Sequence, residues 1–131
     1  MNKTFIIIYV DDLEKSKMFF EILFDIKPIV DDQGMCELEL PNNTTLGIMP
    51  KSSFEKLFGE DNNFNDNKKS TLKFELYFQV DDPELFHKKA MQLGALELRK
   101  FEEMNWGDIA AYSINHDGHI LAFAKRADDT D

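Results

Sequence analysis

The sequence has few of the residues that stabilise secreted proteins or anchor membrane proteins. Cys36 is the only cysteine among 131 residues, so no disulfide can form within the chain. A free thiol fits a reducing compartment better than a secreted setting. The apolar run at residues 5–10 is shorter than the core of a signal peptide, and no run approaches the length of a bilayer-spanning helix. These absences predict a cytoplasmic protein that does not enter a membrane.

Basic residues are also scarce. The 15 Lys and Arg are outnumbered by 25 Asp and Glu, which gives a formal net charge of −10 at pH 7. Neutralising nucleic-acid phosphates requires clustered Lys and Arg, so the composition argues against a nucleic-acid partner. The acidity either keeps the protein in solution or steers a cationic ligand towards it, and both interpretations stay open. The sequence contains no phosphate-binding glycine loop and no G-x-S-x-G nucleophile motif.

What the sequence does contain is apolar surface arranged in a pattern that occurs twice. Hydrophobic residues make up 43% of the chain, with only 6 Gly and 4 Pro, which is typical of one packed domain over residues 1–131. The motif V-D-D-x-E occurs at residues 10–14 and again at 80–84, at a constant offset of 70 residues. Because similar elements follow both copies, we interpret the chain as a duplication. Its parts are module one at about 1–59, a polar connector at about 60–70 and module two at about 71–126.

Each module is predicted to contain a strand, a helix and then a hairpin. Residues at the helix boundaries are Asp11 or Asp12 and Phe24 in the first module, and Asp82, Pro83 and Gly94 in the second. The other predicted elements are strands at 5–10 and 73–80, hairpins of 35–40 with 44–50 and of 109–114 with 119–124, and a short helix at 52–59.

Five short segments, spread over nearly the whole chain, resemble those of a known superfamily. They are V-D-D-L-E-K-S-K-x-F-F at 10–20, V-D-D-P-E at 80–84, L-G-A at 93–95, W-G at 106–107 and H-D-G-H-I-L at 116–121. In this order they resemble the vicinal oxygen chelate superfamily, which includes glyoxalase I, bleomycin resistance proteins, fosfomycin resistance enzymes and extradiol dioxygenases. The resemblance implies an α+β fold of two βαβββ modules, whose strands form a curled, mostly antiparallel sheet, a cup open on one side.

The segment FELYFQV at residues 74–80 alternates between apolar and polar side chains. Successive side chains of a strand point to opposite faces of the sheet. Phe74, Leu76, Phe78 and Val80 are therefore predicted to face the helix, and Glu75, Tyr77 and Gln79 to face the cup. The alternative is that the polar side chains simply face solvent on an open sheet.

Metal-dependent members of the superfamily hold a divalent ion with His, Gln or Glu at one position on each of four strands. The resemblance places these positions at Phe5, near Gly47, at Glu75 and at Ala122. Only Glu75 has a side chain that binds a metal. The sequence therefore predicts no metal ion and no other cofactor.

The histidines and the cysteine give no clear alternative site. His116 and His119 flank Asp117 and Gly118 in a tight turn, which predicts side chains that face solvent. His87 lies beside two lysines on a predicted helix, which is typical of a solvated helix face. Cys36 has no obvious histidine partner, which favours a buried, unreactive thiol.

If the strand registers follow the superfamily, the cup has mostly apolar and aromatic walls. The predicted lining residues are Phe5, Ile7, Tyr9, Gly47, Met49, Glu75, Tyr77, Tyr112 and Ala122. The resemblance places Tyr112 where fosfomycin resistance enzymes have a substrate-contacting tyrosine. Trp106, in a loop near the rim, either closes over a ligand or packs against the edge of the sheet.

Aromatic walls with one carboxylate suit a flat or cationic organic molecule. The sequence resembles the bleomycin resistance proteins, which are acidic, lack the metal ligands and bind a drug as homodimers without changing it. This resemblance implies a homodimeric, metal-free small-molecule-binding protein that sequesters or senses an aromatic or cationic compound. The alternative is an enzyme, either a metal-dependent lyase, isomerase or dioxygenase or one that uses Glu75 as a general base. A third possibility is a protein–protein module that uses the open sheet.

Overall fold

The computed structural model describes residues 4–58 and 75–128, and the chain divides into two compact units, residues 1–70 and 71–131. The first unit contains β1 (Thr4–Val10), α1 (Leu13–Phe24), β2 (Val30–Asp32), β3 (Met35–Leu40), β4 (Thr44–Pro50) and α2 (Lys51–Phe58). The second unit contains β5 (Glu75–Gln79), α3 (Pro83–Gln92), β6 (Leu96–Glu103), β7 (Asp108–Ile114) and β8 (Ile120–Arg126). The predicted fold class, α+β with two βαβββ modules, is confirmed. The predicted connector at 60–70, Gly59 and Phe74 lie outside the described residues.

Each unit has its own four-stranded sheet, and the two sheets have the same topology. The strand orders are β1-β4-β3-β2 and β5-β8-β7-β6. The first and last strands of each module pair in parallel, with Ile7 opposite Gly47 and Tyr77 opposite Ala122. The other pairs are antiparallel, so both sheets are mostly antiparallel, as predicted. The repeated topology agrees with the duplication that the sequence indicates.

The helices begin where the sequence predicts. The Asp12 carboxylate accepts a hydrogen bond from the backbone N–H of Lys15 at 3.2 Å, and that of Asp82 accepts one from Leu85 at 3.1 Å. Each carboxylate therefore satisfies one of the free amides of the first helical turn. Pro83 occupies the first position of α3, where its missing N–H costs nothing. No helix in the described part of the chain is long and apolar enough to span a membrane.

The core of the first unit lies between α1 and one face of its sheet. Phe19, Phe20 and Leu23 of α1 are buried, as are the sheet residues facing them, which include Ile8, Val10, Leu38, Leu46 and Ile48. Cys36 belongs to this core and has no solvent exposure. Burial, followed by the nearby charge of Asp31, raises the pKa of its thiol to about 11. The predicted buried thiol is confirmed, and it stays protonated at neutral pH.

The core of the second unit is centred on Phe123 of β8, which is fully buried. Its ring stacks on Phe78 of β5 at a centroid distance of 5.7 Å and on Phe86 of α3 at 5.5 Å. Leu76 is also buried on this face, whereas Glu75 and Gln79 on the opposite face are exposed. The predicted alternation of this strand is confirmed for the residues that the structure describes.

Two strands, β2 and β6, were not predicted from the residues themselves. Both lie at the outer position of their sheet. β2 has only three residues, all exposed, and β6 is exposed over most of its length. The pairing of β6 with β7 also shifts register between Glu97 and Glu102. Such strands lack the regular apolar alternation that identifies a half-buried strand in a sequence.

Candidate functional site

A concavity of about 290 Å³ lies on the second sheet, on the face opposite α3. Its lining residues come from all four strands and from the loop between β6 and β7: Glu75, Leu98, Arg99, Met104, Trp106, Tyr112 and Ile120. Three of these residues, Glu75, Trp106 and Tyr112, are predicted ligand-binding residues. The concavity is therefore the candidate functional site.

Two further predicted residues, Tyr77 and Ala122, form the sheet next to the concavity. Ala122 lies on the central strand β8, opposite Tyr77 on one side and Tyr112 on the other. It is fully buried, and both tyrosines pack against a small cluster of Met104, Ala110 and Ala124. The small alanine side chains let the two aromatic rings lie against the sheet.

Trp106 is held at one edge of the concavity while much of its side chain stays exposed. The residue is 51% exposed, and its indole N–H donates a hydrogen bond to the Tyr77 hydroxyl at 3.0 Å. Gly107, which follows it, has a φ of +97°, a backbone conformation open mainly to glycine. The indole is therefore fixed by its nitrogen and presents its ring to the concavity.

Behind Trp106 lies a carboxylate that the sequence analysis missed. Asp108 at the start of β7 is only 3% exposed, and it accepts a hydrogen bond from the Tyr77 hydroxyl. The Gln79 side-chain amide donates to the same Oδ2 atom at 3.4 Å, and Arg126 Nε lies 3.9 Å from Oδ1. The only sequence signal for this residue is an acidic side chain opening an otherwise apolar strand, DIAAYSI.

The phenol of Tyr77 keeps its proton in this setting. Burial first, and then the hydrogen bond to Asp108, raise the pKa of Tyr77 to about 12. At neutral pH the hydroxyl is therefore a hydrogen-bond donor to Asp108, and its oxygen is left to accept from Trp106.

Two charged side chains, Arg99 and Glu75, line the concavity. Only the charge of Glu75 is unbalanced, in the sense that it has no ion-pair partner in the described ranges. Arg99 donates from Nε to Glu102 Oε1 at 2.9 Å and also donates from Nη2, and this contact lowers the pKa of Glu102. Glu75 forms no ion pair with any residue in the described ranges. Its charge is felt by Tyr112, whose pKa is raised by burial and then by Glu75. Since Glu102 balances the charge of Arg99, the three side chains together have a net charge of −1, and the negative charge that has no ion-pair partner in the described ranges is that of Glu75.

The other five predicted ligand-binding residues lie in the first unit, on one face of its sheet. Phe5 is 50% exposed and Ile7 is 36% exposed, and the β1–β4 pairing places Ile7 opposite Gly47 and Tyr9 opposite Met49. Gly47 itself is covered. A Cβ built on it would lie 2.6 Å from Ile7 Cδ1 and 3.0 Å from the methyl group of Met35. The absence of a side chain at Gly47 thus makes room for its neighbours.

The residues at the four superfamily metal positions do not fit a divalent ion. Phe5, Gly47 and Ala122 have no side-chain lone pair, so Glu75 is the single donor of the set. Among the described residues, no three His, Cys, Asp or Glu side chains are grouped as metal ligands would be. One carboxylate is too few ligands to hold a divalent ion against water.

Of the two histidines predicted to face solvent, His116 is exposed as a whole residue and His119 is buried, so the prediction is wrong for His119. His119 is only 2% exposed, and the His116 side chain, 18% exposed, lies 3.2 Å from Asp117 Oδ2. The turn is organised from inside by Asn115, whose Oδ1 accepts from the backbone N–H of Asp117 at 3.0 Å and of His119 at 2.9 Å. This side-chain cap folds the loop back on itself, which turn composition alone does not reveal.

The predicted solvated position of His87 is also wrong. The residue is 3% exposed, and its Nε2 lies 2.8 Å from Glu97 Oε2 of β6. The residues of β6 do not predict a strand, so the sequence does not indicate that β6 covers this side of α3.

Burial of His119 predicts a pH-dependent stability. Burial lowers the pKa of His119 from the usual 6.5, although Asp117 acts to raise it and His116 to lower it. The unfolded chain therefore takes up the proton first as pH falls below about 6.5. The stabilisation is fully present above that pH and is lost as pH falls towards and through the folded pKa.

We expect the free energy of unfolding, measured by urea denaturation, to fall between pH 7.5 and pH 5.5. The fall should be smaller in His119→Leu, which has no group to titrate at this position, even if its stability at pH 7.5 is lower. Equal falls in the two proteins would contradict the assignment of this pH dependence to His119.

Comparison with known proteins gives a consistent fold. A family model described as a glyoxalase-like domain matches residues 3–126. A glyoxalase-related enzyme from Fulvimarina pelagi has a similar structure, with a TM-score of 0.80 and 18% identity over 94% of this chain and 86% of that one. A glyoxalase/bleomycin resistance protein/dioxygenase family enzyme from Burkholderia phytofirmans PsJN gives a TM-score of 0.81 and 16% identity over 94% and 97%.

A glyoxalase/bleomycin resistance protein from Albidiferax ferrireducens T118 gives a TM-score of 0.67 and 20% identity over 94% of this chain and 98% of that one. No curated protein sequence matches the chain. At these identities the structural likeness shows the fold alone, and the chemistry has to be argued from the residues of the site.

Proposed function

Since the chain belongs to the glyoxalase-like domain family of the vicinal oxygen chelate superfamily, we propose that it binds a planar, cationic aromatic molecule without a metal ion. In this way it sequesters or senses that compound. One observation carries the proposal: the half-exposed indole of Trp106 and the ring of Tyr112 line the same concavity as the unbalanced carboxylate of Glu75. Aromatic side chains stack on a flat ligand, and a carboxylate stabilises its positive charge.

The size of the site supports a compact ligand. At about 290 Å³ the concavity is at the lower end of the range of about 300–1,000 Å³ that is usual for small-molecule sites. Leu98, Met104 and Ile120 supply apolar surface around the aromatic residues. The acidic net charge of −10 favours the approach of a cation and disfavours nucleic acid.

The test compares two ligands of nearly the same shape, the cation N-methylquinolinium and its neutral relative 4-methylquinoline, by isothermal titration calorimetry at pH 8. We expect the cation to bind about tenfold more tightly or better, which corresponds to about 1.4 kcal/mol. Glu75→Gln should remove this preference and leave the affinity for the neutral compound. Trp106→Ala should weaken the binding of both about tenfold or more, because a central aromatic contact is lost.

Glu103→Gln is the matched control, since Glu103 is exposed on β6 and does not line the concavity. It removes the same charge from the chain and should leave the preference intact. If Glu75→Gln and Glu103→Gln weakened the preference for the cation equally, Glu75 would contribute only through the net charge of the protein. If neither compound binds to the wild-type protein, or if binding survives Trp106→Ala unchanged, the proposed site is wrong.

The metal-free character is tested directly on the purified, untagged protein. After incubation with manganese, iron, nickel and zinc and removal of the excess by gel filtration, elemental analysis should give far less than one ion per chain. The donor set of the superfamily positions supports this expectation, because only Glu75 can contribute. One tightly held ion per chain would overturn it and favour a metal-dependent lyase, isomerase or dioxygenase.

The proposal includes a homodimer in the cytoplasm. The dimer rests on the resemblance to bleomycin resistance proteins, and the location on the single buried thiol of Cys36, which suits a reducing compartment. Sedimentation equilibrium should give twice the chain mass of 15.3 kDa, and a single-chain mass at micromolar concentration would overturn the dimer.

A further inference from the structure

We propose that Asp108 is a positioning residue of the ligand site, acting through Tyr77 to hold the indole of Trp106 in its place at the edge of the concavity. That a ligand binds here depends on the proposed function, whereas the positioning of the indole does not. The arrangement itself is a chain of two hydrogen bonds, from the Trp106 indole to the Tyr77 hydroxyl and from that hydroxyl to the Asp108 carboxylate.

A carboxylate in this position needs compensation. Asp108 is 3% exposed, and the residues that follow it on β7 are Ile109 and Ala110. A charge buried among apolar groups costs stability unless hydrogen bonds and opposite charges compensate it. Tyr77 and Gln79 of β5 donate to its Oδ2, and Arg126 of β8 supplies a positive charge 3.9 Å from Oδ1, which has no hydrogen-bond partner among the described residues. Contacts with two neighbouring strands, β5 and β8, therefore hold the Asp108 carboxylate in place.

The chemistry of the three groups fixes the direction of both hydrogen bonds. An ionised carboxylate only accepts, and an indole N–H only donates, so the hydroxyl between them must donate to Asp108 and accept from Trp106. The raised pKa of Tyr77, about 12, keeps the required proton on the hydroxyl over the working pH range. In such a chain the charged end polarises the hydroxyl and strengthens the second bond as well as the first.

The two hydrogen bonds matter for binding because of where Trp106 lies. The residue lies in the loop between β6 and β7 and is half exposed, so packing alone does not fix its two side-chain torsions. The bond from its nitrogen to Tyr77 restricts them before any ligand arrives. A pre-organised aromatic surface binds more tightly than a mobile one, because less side-chain entropy is lost on binding.

The test uses the fact that Trp106 is the only tryptophan of the chain. Steady-state fluorescence anisotropy at 295 nm excitation then reports the mobility of this one indole in the protein without ligand. We expect lower anisotropy in Tyr77→Phe, which keeps the ring and loses the hydroxyl, and in Asp108→Leu, which keeps the size and loses the carboxylate. Asp108→Asn, a weaker acceptor of similar shape, should lie between Asp108→Leu and the wild type.

The double variant Tyr77→Phe/Asp108→Leu decides whether Asp108 acts through Tyr77. Its anisotropy should equal that of Tyr77→Phe alone, since no hydroxyl is left for Asp108 to orient. The affinity for N-methylquinolinium should likewise fall about three- to tenfold in each single variant and no further in the double variant. Circular dichroism melting curves identify any variant that does not fold. If Asp108→Leu does not fold, the same comparison is made with Tyr77→Phe and Asp108→Asn.

Asp128→Asn is the matched control. Asp128 also lies near Arg126, with its Oδ1 3.8 Å from Arg126 Nε, but it makes no hydrogen bond to Tyr77. This variant should leave the anisotropy of Trp106 unchanged. Unchanged anisotropy in Tyr77→Phe, or effects of the two single substitutions that simply add, would overturn the proposal. Changed anisotropy in a protein that binds neither quinoline would instead support the positioning role and overturn the proposed ligand.

Discussion

Replacing Phe123 with alanine is expected to lower the free energy of unfolding by about 3–5 kcal/mol. Phe123 is fully buried on the inner strand β8, and its ring stacks on Phe78 of β5 and on Phe86 of α3. Truncation removes the ring, opens a cavity and breaks the ring contact with Phe86 of α3. Guanidinium denaturation followed by circular dichroism measures the loss.

The matched control is Phe5→Ala, because Phe5 is also on a strand but is 50% exposed. Its truncation leaves no closed cavity, so we expect a loss of less than about 1 kcal/mol. A loss at Phe123 as small as that at Phe5 would show that the two rings are equally solvated, contrary to the structure.

Replacing Gly107 with alanine is expected to cost about 1–3 kcal/mol of stability because its φ of +97° lies in a region that side chains rarely adopt. The cost comes from the backbone and not from a clash, since the new Cβ would lie 3.5 Å from Arg126 Nη2, an ordinary contact. Gly107 also separates Trp106 from Asp108. Relaxation of the strain would therefore shift the indole, and the anisotropy of Trp106 should change together with the denaturation midpoint.

Gly34→Ala is the control for this prediction. Gly34 does not have a positive φ, and a Cβ there would meet only Asp32 Oδ1, at 4.0 Å. Its substitution should be neutral or stabilising by up to about 1 kcal/mol, because alanine has less conformational freedom in the unfolded chain. A comparable loss of stability at both glycines would mean that the conformation at Gly107 is not the cause.

Much of the fold could be predicted because it follows from local chemistry. Asp12 and Asp82 cap helices in the way that their side chains dictate, and the hairpin of β3 and β4 turns at Asn42 and Asn43, whose φ values of 62° and 58° suit asparagine. The edge strand β6 could not be predicted from its own residues, because an exposed strand needs no apolar alternation. Missing it also led to the wrong prediction for the buried His87.

Three of the residues that line the concavity were predicted, Glu75 and Tyr112 on regular strands and Trp106 in a loop. Glu75 and Tyr112 follow from alternation on strands and from the resemblance, and the structure places both at the concavity. Asp108 lies 31 residues from Tyr77, so their hydrogen bond depends on how β5, β8 and β7 pair, which no local pattern encodes. Arg99 reaches the concavity through a register shift in β6, an irregularity that alternation cannot anticipate.

The repeated topology has a chemical consequence. The offset that relates the two V-D-D-x-E motifs also relates three positions of β1 to three of β5: Phe5 to Glu75, Ile7 to Tyr77 and Tyr9 to Gln79. The first copy has two apolar side chains and a tyrosine there, and the second has a carboxylate, a phenol and an amide. Two copies of one topology therefore differ in the chemistry of equivalent positions. The polar network around Asp108 belongs to the second copy alone at these positions, so the shared scaffold tolerates either set of side chains.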